Sequence, residues 1–162
     1  MAIVLLNRRK LLAAGGSVVA TGVSVFLSPV RAQGLAPTGS MPGGSNNYRA
    51  GAAIVDRIGR GGFWMTGTVR RAGDGVPLSG QRIQIWAHTT EGYEQDPHSH
   101  GATLTDANGA FRLEMPQIVP AFGQPHGHLA YDSGNFKTVF LRPIMKSAKD
   151  TRLEAHFVLQ PA

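Results

Sequence analysis

Histidines are the side chains here whose spacing suggests chemistry. His126 and His128 flank Gly127. Side chains two apart on an extended strand point the same way, so both imidazoles would face one space. Two neutral imidazoles on one face form a half-site for a first-row metal ion. A second pair, His98 and His100, flanks Ser99 in Asp96-Pro97-His98-Ser99-His100. The chain has no cysteine, so any metal must be held by oxygen and nitrogen. Disulfide scaffolds, zinc ribbons, iron–sulfur clusters and thiol nucleophiles are excluded on the same ground.

The other histidines and tyrosines have plainer readings. His156 alternates onto the polar face of the last predicted strand, and His88 ends an earlier one, after a Trp86 expected at the sandwich edge. Tyr48 lies in an amino-terminal leader. Asp106 and Asn108 are turn formers. No Ser-His-Asp order, phosphate loop or paired-carboxylate spacing stands out.

The elements that must position the histidines are short strands. Phe63–Arg71 is apolar and β-branched and stops at Ala72-Gly73-Asp74-Gly75, with glycines available for positive φ. Arg82–Trp86 alternates, with Ile83 and Ile85 on one face. Asp106-Ala107-Asn108-Gly109 reads as a hairpin-type turn, after which Phe111, Leu113 and Met115 share a face. Thr138–Leu141 is a short apolar run, and Leu153, Ala155, Phe157 and Leu159 alternate at the end. Strands at this spacing with little helical signal predict an all-β sandwich over residues 63–162. Ahead of it, residues 33–62 form a Gly/Pro/Ser-rich leader. Within it 33–47 is expected to be extended or disordered, and Ile54, Val55 and Ile58 have helical spacing.

The net charge of +6 over 162 residues invites a nucleic-acid partner until its distribution is read. Residues 1–32 hold Arg8, Arg9, Lys10, Arg31 and no acid, and Leu11 to Val30 is uncharged. Val30-Arg31-Ala32 offers a small–x–small cleavage pattern, which makes 1–32 a secretory signal. Asn7-Arg8-Arg9-Lys10-Leu11-Leu12 resembles a twin-arginine motif, so the expected destination is periplasmic or extracellular. The rest carries 12 Lys and Arg against 10 acids, with no basic run longer than Arg70-Arg71. Nucleic acid loses its support, and no stable membrane span is expected after cleavage.

Six short motifs fall in order: Gly67-Thr-Val69, Gly75-Val-Pro-Leu-Ser-Gly80, Ile83-Gln-Ile-Trp86, Gly92-Tyr93, Thr105-Asp-Ala-Asn-Gly109 and Pro125-His-Gly-His128. This series resembles the intradiol ring-cleavage dioxygenases, the protocatechuate and catechol dioxygenase type, over roughly residues 63–159. The resemblance implies a β-sandwich holding a mononuclear non-haem Fe(III) through two tyrosinates and two histidines. Such an ion activates a catechol toward O2 and ring opening. Tyr93 matches the first tyrosine ligand, and His126 and His128 match the histidine pair.

The sequence also departs from that pattern. Phe111 to Pro125 lacks the second family tyrosine, and Phe122-Gly123-Gln124-Pro125 stands where an arginine is usual. His98, His100 or Tyr131 is a candidate fourth ligand, Tyr131 only if its strand bends, and Gln124 a candidate for orienting substrate. A site with three histidines would suit Cu(II) or Fe(II) as readily as Fe(III). Three readings follow: an exported dioxygenase acting on catecholic compounds, a metal-binding sandwich without ring cleavage, and a prealbumin-like binding module.

Overall fold

The computed structural model describes residues 34–162, which form one compact unit, and the secretory-signal reading of 1–32 lies outside them. Seven strands make two sheets. They are β1 (Phe63–Arg71), β2 (Arg82–Ala87), β3 (His100–Leu104), β4 (Ala110–Met115), β5 (Gly127–Tyr131), β6 (Val139–Leu141) and β7 (Arg152–Leu159). One sheet has the order β4-β1-β7 and the other β3-β2-β5-β6. Only β1 and β7 run parallel. The β-sandwich expected from strand spacing is the observed architecture.

Alternation explains how the sheets face each other. Phe63, Met65 and Val69 of β1, Phe111, Leu113 and Met115 of β4, and Leu153, Ala155, Phe157 and Leu159 of β7 fill one side of the core. Ile83, Ile85, Leu129, Tyr131, Val139 and Leu141 fill the other. Each large apolar side chain so buried contributes roughly 1.5–3 kcal/mol of transfer free energy. Tyr131 therefore lies on the inner face against Phe136, away from the histidines, because β5 runs straight rather than bending. Gly127 also faces inward; a Cβ there would come within 2.9 Å of Met65 Cε. The glycine between the two histidines thus leaves core room for Met65.

The turn at Asp106–Gly109 does not close a hairpin. It carries the chain from β3 in one sheet to β4 in the other, with Asp106 Oδ1 accepting from the backbone N–H groups of Asn108 and Ala110. Residues 53–58 are not helical. Val55 N–H donates to Ala102 O of β3 and Ile58 N–H to Glu114 O of β4, so this segment spans the gap between the sheets.

The expected flexible leader is corrected by its packing. Leu35 and Thr38 bond to Gly73 and to Val158 of β7, and residues 41–49 then cross the outer face of the four-stranded sheet and seal it. Met41 N–H donates to Phe140 O, Trp86 Nε1–H to Asn46 O at 2.9 Å, and Gln84 Nε2–H to Arg49 O at 2.7 Å. Composition suggested disorder because the segment has few large apolar groups. It is held instead by backbone carbonyls that satisfy buried donors of the sheet. Trp86, expected at an edge, is fully buried beneath it.

Tyr48 pins this cover: its hydroxyl donates to Asp132, which also pairs with Arg82 at 3.2 Å. Burial first, and the Asp132 bond second, push the Tyr48 phenol from 10.0 up to about 12. The bond therefore stabilises the fold below pH 10.0, and that contribution is lost as pH climbs through about 12. Tyr48→Phe is expected to cost about 1–2 kcal/mol at neutral pH, since Asp132 keeps Arg82. Urea denaturation reads the loss, and an alkaline titration of phenolate absorbance should lose its latest-titrating component.

Candidate metal centre

Antiparallel pairing brings four chain ends to one end of the four-stranded sheet. Ala87 at the end of β2 pairs with Gly127 at the start of β5, Trp86 pairs with His100 at the start of β3, and Leu141 at the end of β6 pairs with Leu129. On the outer face His100, Trp86 and His128 stand side by side. Both imidazoles stack on the indole, with centroids 5.4 and 5.2 Å away. His126 precedes β5 and is fixed by a bridge to Ile144.

Both rings of the His126/His128 pair are oriented by backbone carbonyls. His126 Nδ1–H donates to Gln124 O at 2.8 Å, and His128 Nδ1–H donates to Gly44 O at 3.1 Å. That choice of tautomer leaves each Nε2 as the free nitrogen. Both Nε2 atoms point at Glu94. His126 Nε2 is 3.1 Å from Oε1 and His128 Nε2 is 3.4 Å from Oε2. The ligand atoms of Glu94, His126 and His128 lie within 4.8 Å of one another. The carboxylate is 12% exposed, and Asn47 Nδ2 donates to its Oε2 at 3.0 Å.

The electrostatics follow from this packing. The close approach of His126, and after it of His128, holds the Glu94 carboxyl well below the usual carboxylate range despite its burial. Glu94 in turn raises the His126 imidazolium above its ordinary value, against the opposing effect of burial. Among the described residues His128 Nε2 is buried with no hydrogen-bond partner, 3.4 Å from Glu94 Oε2. An orphaned buried nitrogen aimed at a carboxylate and a second imidazole fits a bound cation. The donor set, two imidazoles and one carboxylate, is that of mononuclear non-haem iron sites.

Sequence spacing does not distinguish Glu94 from its neighbour Tyr93 as the inward-facing residue. Tyr93 and Glu94 are adjacent and point different ways, and a local turn decides which goes inward. Tyr93 N–H donates to Asp96 Oδ2 at 2.8 Å, Asp96 N–H returns to Tyr93 O, and a short 3-10 turn at Pro97–Ser99 follows. Tyr93 is left 60% exposed, with its ring stacked on His88 at 4.9 Å. It lines the same cleft as the triad without joining it. An acid within a residue of the expected ligand, in a chain with two spaced histidines, was the available signal.

The remaining candidates are placed as follows. His100 lies behind the triad, with both ring nitrogens occupied: Nε2–H donates to Glu94 O at 2.7 Å and Nδ1 faces Gln84 Nε2 at 3.4 Å. Its pKa is lowered, chiefly by burial. It holds the Glu94 backbone and is not free to ligate. His98 is exposed on the 3-10 turn and its nearest acid is Asp96 at 3.9 Å. Gln124 is exposed and contributes its carbonyl, not its amide, to the site. His156 is a surface residue 2.9 Å from Thr68 Oγ1, as its alternation implied.

A cleft of about 790 Å3 opens above the triad. Glu94 and His126 form part of its lining, Tyr93, Pro120, Ala121 and Phe122 supply apolar wall, and Arg142 enters from the end of β6. Phe122 is fully exposed and sits at a φ of 51°, an uncommon conformation for a bulky residue.

No family model matches the sequence, and no curated protein does. Solved structures do match. Hydroxyquinol 1,2-dioxygenase from Pseudomonas putida DLL-E4 is 12% identical with a TM-score of 0.59, over 81% of this chain and 69% of that one. Chlorocatechol 1,2-dioxygenase from Pseudomonas putida is 18% identical with a TM-score of 0.54, over 80% and 74%. The dioxygenase domain of a dioxygenase carbohydrate-binding protein fusion from Streptomyces sp. SirexAA-E is 15% identical with a TM-score of 0.59, over 78% and 99%. The chain has the β-sandwich fold of these catechol-type dioxygenases.

Proposed function

We propose that this protein is an exported, iron-dependent dioxygenase of the intradiol type, acting with O2 on catecholic aromatic compounds. The observation that carries the reading is the convergence of two carbonyl-oriented imidazoles and Glu94 at the base of the cleft. The fold it shares with catechol 1,2-dioxygenases supports the substrate class. Export rests on Arg8, Arg9 and Lys10 and on Val30-Arg31-Ala32.

Glu94, His126 and His128 would hold the ion. Iron held there would supply Lewis acidity toward a catechol's oxygens and redox access to O2. The chain's own residues do the rest. The carbonyls of Gln124 and Gly44 keep both Nε2 atoms aimed inward. Asn47 and the His100–Glu94 backbone bond keep the carboxylate in place. Tyr93, Pro120 and Phe122 flank the space a planar ring would occupy. His126 Nε2 and Glu94 Oε1, 3.1 Å apart, would both serve as donors to the ion.

The donor set as it stands suits Fe(II). Fe(III), the expectation tied to Tyr93, requires that side chain to leave His88 and turn into the cleft. Metal analysis with an optical spectrum and O2 uptake on a panel of catechols tests the proposal. Stoichiometric iron and catechol-dependent O2 uptake are expected, without the intense visible band of a ferric tyrosinate. Bound iron with no O2 uptake on any catechol would reduce the protein to a metal-binding sandwich. Failure to bind iron would leave only a binding module.

A further inference from the structure

Arg142 is the charged group in the cleft that the metal triad does not use. It follows the last residue of β6 and precedes Pro143, which restricts it to extended backbone. Its N–H bonds to Met41 Sδ, and its side chain runs past Gly43, where a Cβ would lie 3.5 Å from Arg142 Cδ. The leader and the sheet thus hold the guanidinium in the cleft wall.

Among the described residues this guanidinium lacks an acceptor. Its Nη2 lies 3.5 Å from His126 Nδ1, but that nitrogen already donates its hydrogen to Gln124 O at 2.8 Å. A carbonyl only accepts, so Nδ1 carries the hydrogen and the Arg142 approach is donor against donor. Arg142 Nε is buried with no partner. No carboxylate pairs with Arg142 among the described residues. Glu94, the one acid lining the cleft, is engaged by His126 and Asn47 and faces His128. The cleft therefore offers a fixed planar cation beside the triad, with Pro120, Ala121 and Phe122 as apolar wall.

We propose that Arg142 anchors a carboxylate on the aromatic substrate, so that the cleft selects carboxylated over uncharged rings. Guanidinium and carboxylate match as a bidentate pair, and the apolar wall holds the ring that carries it. The substrate class deepens the dioxygenase reading and rests on it, whereas the Arg142 contact can be measured without iron.

The test compares 4-hydroxybenzoate, phenol and acetate by calorimetry on the metal-free protein and again after iron loading. In the wild type 4-hydroxybenzoate is expected to bind at least about tenfold tighter than phenol, the scale of one charge-assisted hydrogen bond. Arg142→Gln should bring that ratio to about one, and Arg142→Lys should restore part of it. An unchanged circular dichroism spectrum and melting temperature show that the variants are folded. A wild-type ratio near one, or a preference that survives Arg142→Gln, overturns the proposal. Acetate binding as tightly as 4-hydroxybenzoate also overturns it, by showing a simple anion site. Catechol-dependent O2 uptake alongside any of these results would leave the dioxygenase reading standing. A carboxylate preference without O2 uptake would do the reverse.

Discussion

In the Glu94→Ala variant, affinity for iron is expected to fall by on the order of a hundredfold or more, whereas Tyr93→Phe should retain the metal. Replacing even a group that merely orients a ligand commonly costs 10–100-fold, so removal of one of three direct donors sets a larger expectation. The contrast between adjacent positions is the informative part. Glu94 lies between His126 Nε2 and His128 Nε2, while the Tyr93 ring is stacked on His88 and mostly in solvent. If Tyr93→Phe loses iron and Glu94→Ala keeps it, the resting geometry of this loop is not the one that binds metal. Stability of the metal-free Glu94→Ala protein should change less than its metal affinity. Glu94 is what raises the His126 imidazolium, so its removal lets that ring become neutral and strands no buried charge there. Metal content after dialysis against a graded chelator, together with thermal melts of the metal-free proteins, separates the two effects.

Gly67→Ala is expected to cause the largest loss of fold stability, about 3 kcal/mol or more. Gly67 sits in the middle of β1, paired with Phe111 on one side and Ala155 on the other. A Cβ built there would lie 1.7 Å from Ala155 O and 2.5 Å from Phe111 Cζ. The first neighbour is backbone of β7, so relief requires moving the parallel β1–β7 pair, not rotating a side chain. Gly39→Ala provides the control: nothing lies within 4 Å of the added methyl, and a change within about 0.5 kcal/mol is expected. Denaturant midpoints with unchanged slopes are the measurement. A Gly67→Ala protein with wild-type stability would mean that β1 and β7 are packed less closely than described.

Much of this protein is legible in its sequence, and the reason is local. Alternation in β2, β4 and β7 has a period of two and specifies which residues face the core without reference to the rest of the chain. The sandwich, and the placement of Tyr131 across the strand from His128, follow from the same rule. The spacing of His126 and His128 likewise put both imidazoles on one face, because strand geometry alone aligns residues two apart.

Other features depend on partners distant in the chain, and no local pattern encodes them. Whether Tyr93 or Glu94 turns inward is set by Asp96 and by the His100 bond to the Glu94 carbonyl. His100 looked like a ligand by spacing, but tertiary packing engages both of its nitrogens. The leader looked free by composition, but Gly44 O, Asn46 O and Arg49 O satisfy His128, Trp86 and Gln84, which lie 84, 40 and 35 residues away. Arg142 stood in no motif at all; it enters the cleft because β6 pairs with β5 and ends beside the histidines. Sequence by itself determined the layers and the half-site, since both follow from backbone periodicity. Tertiary structure alone decided the third ligand and the unpaired cation, since each depends on which distant acceptor a buried donor finds.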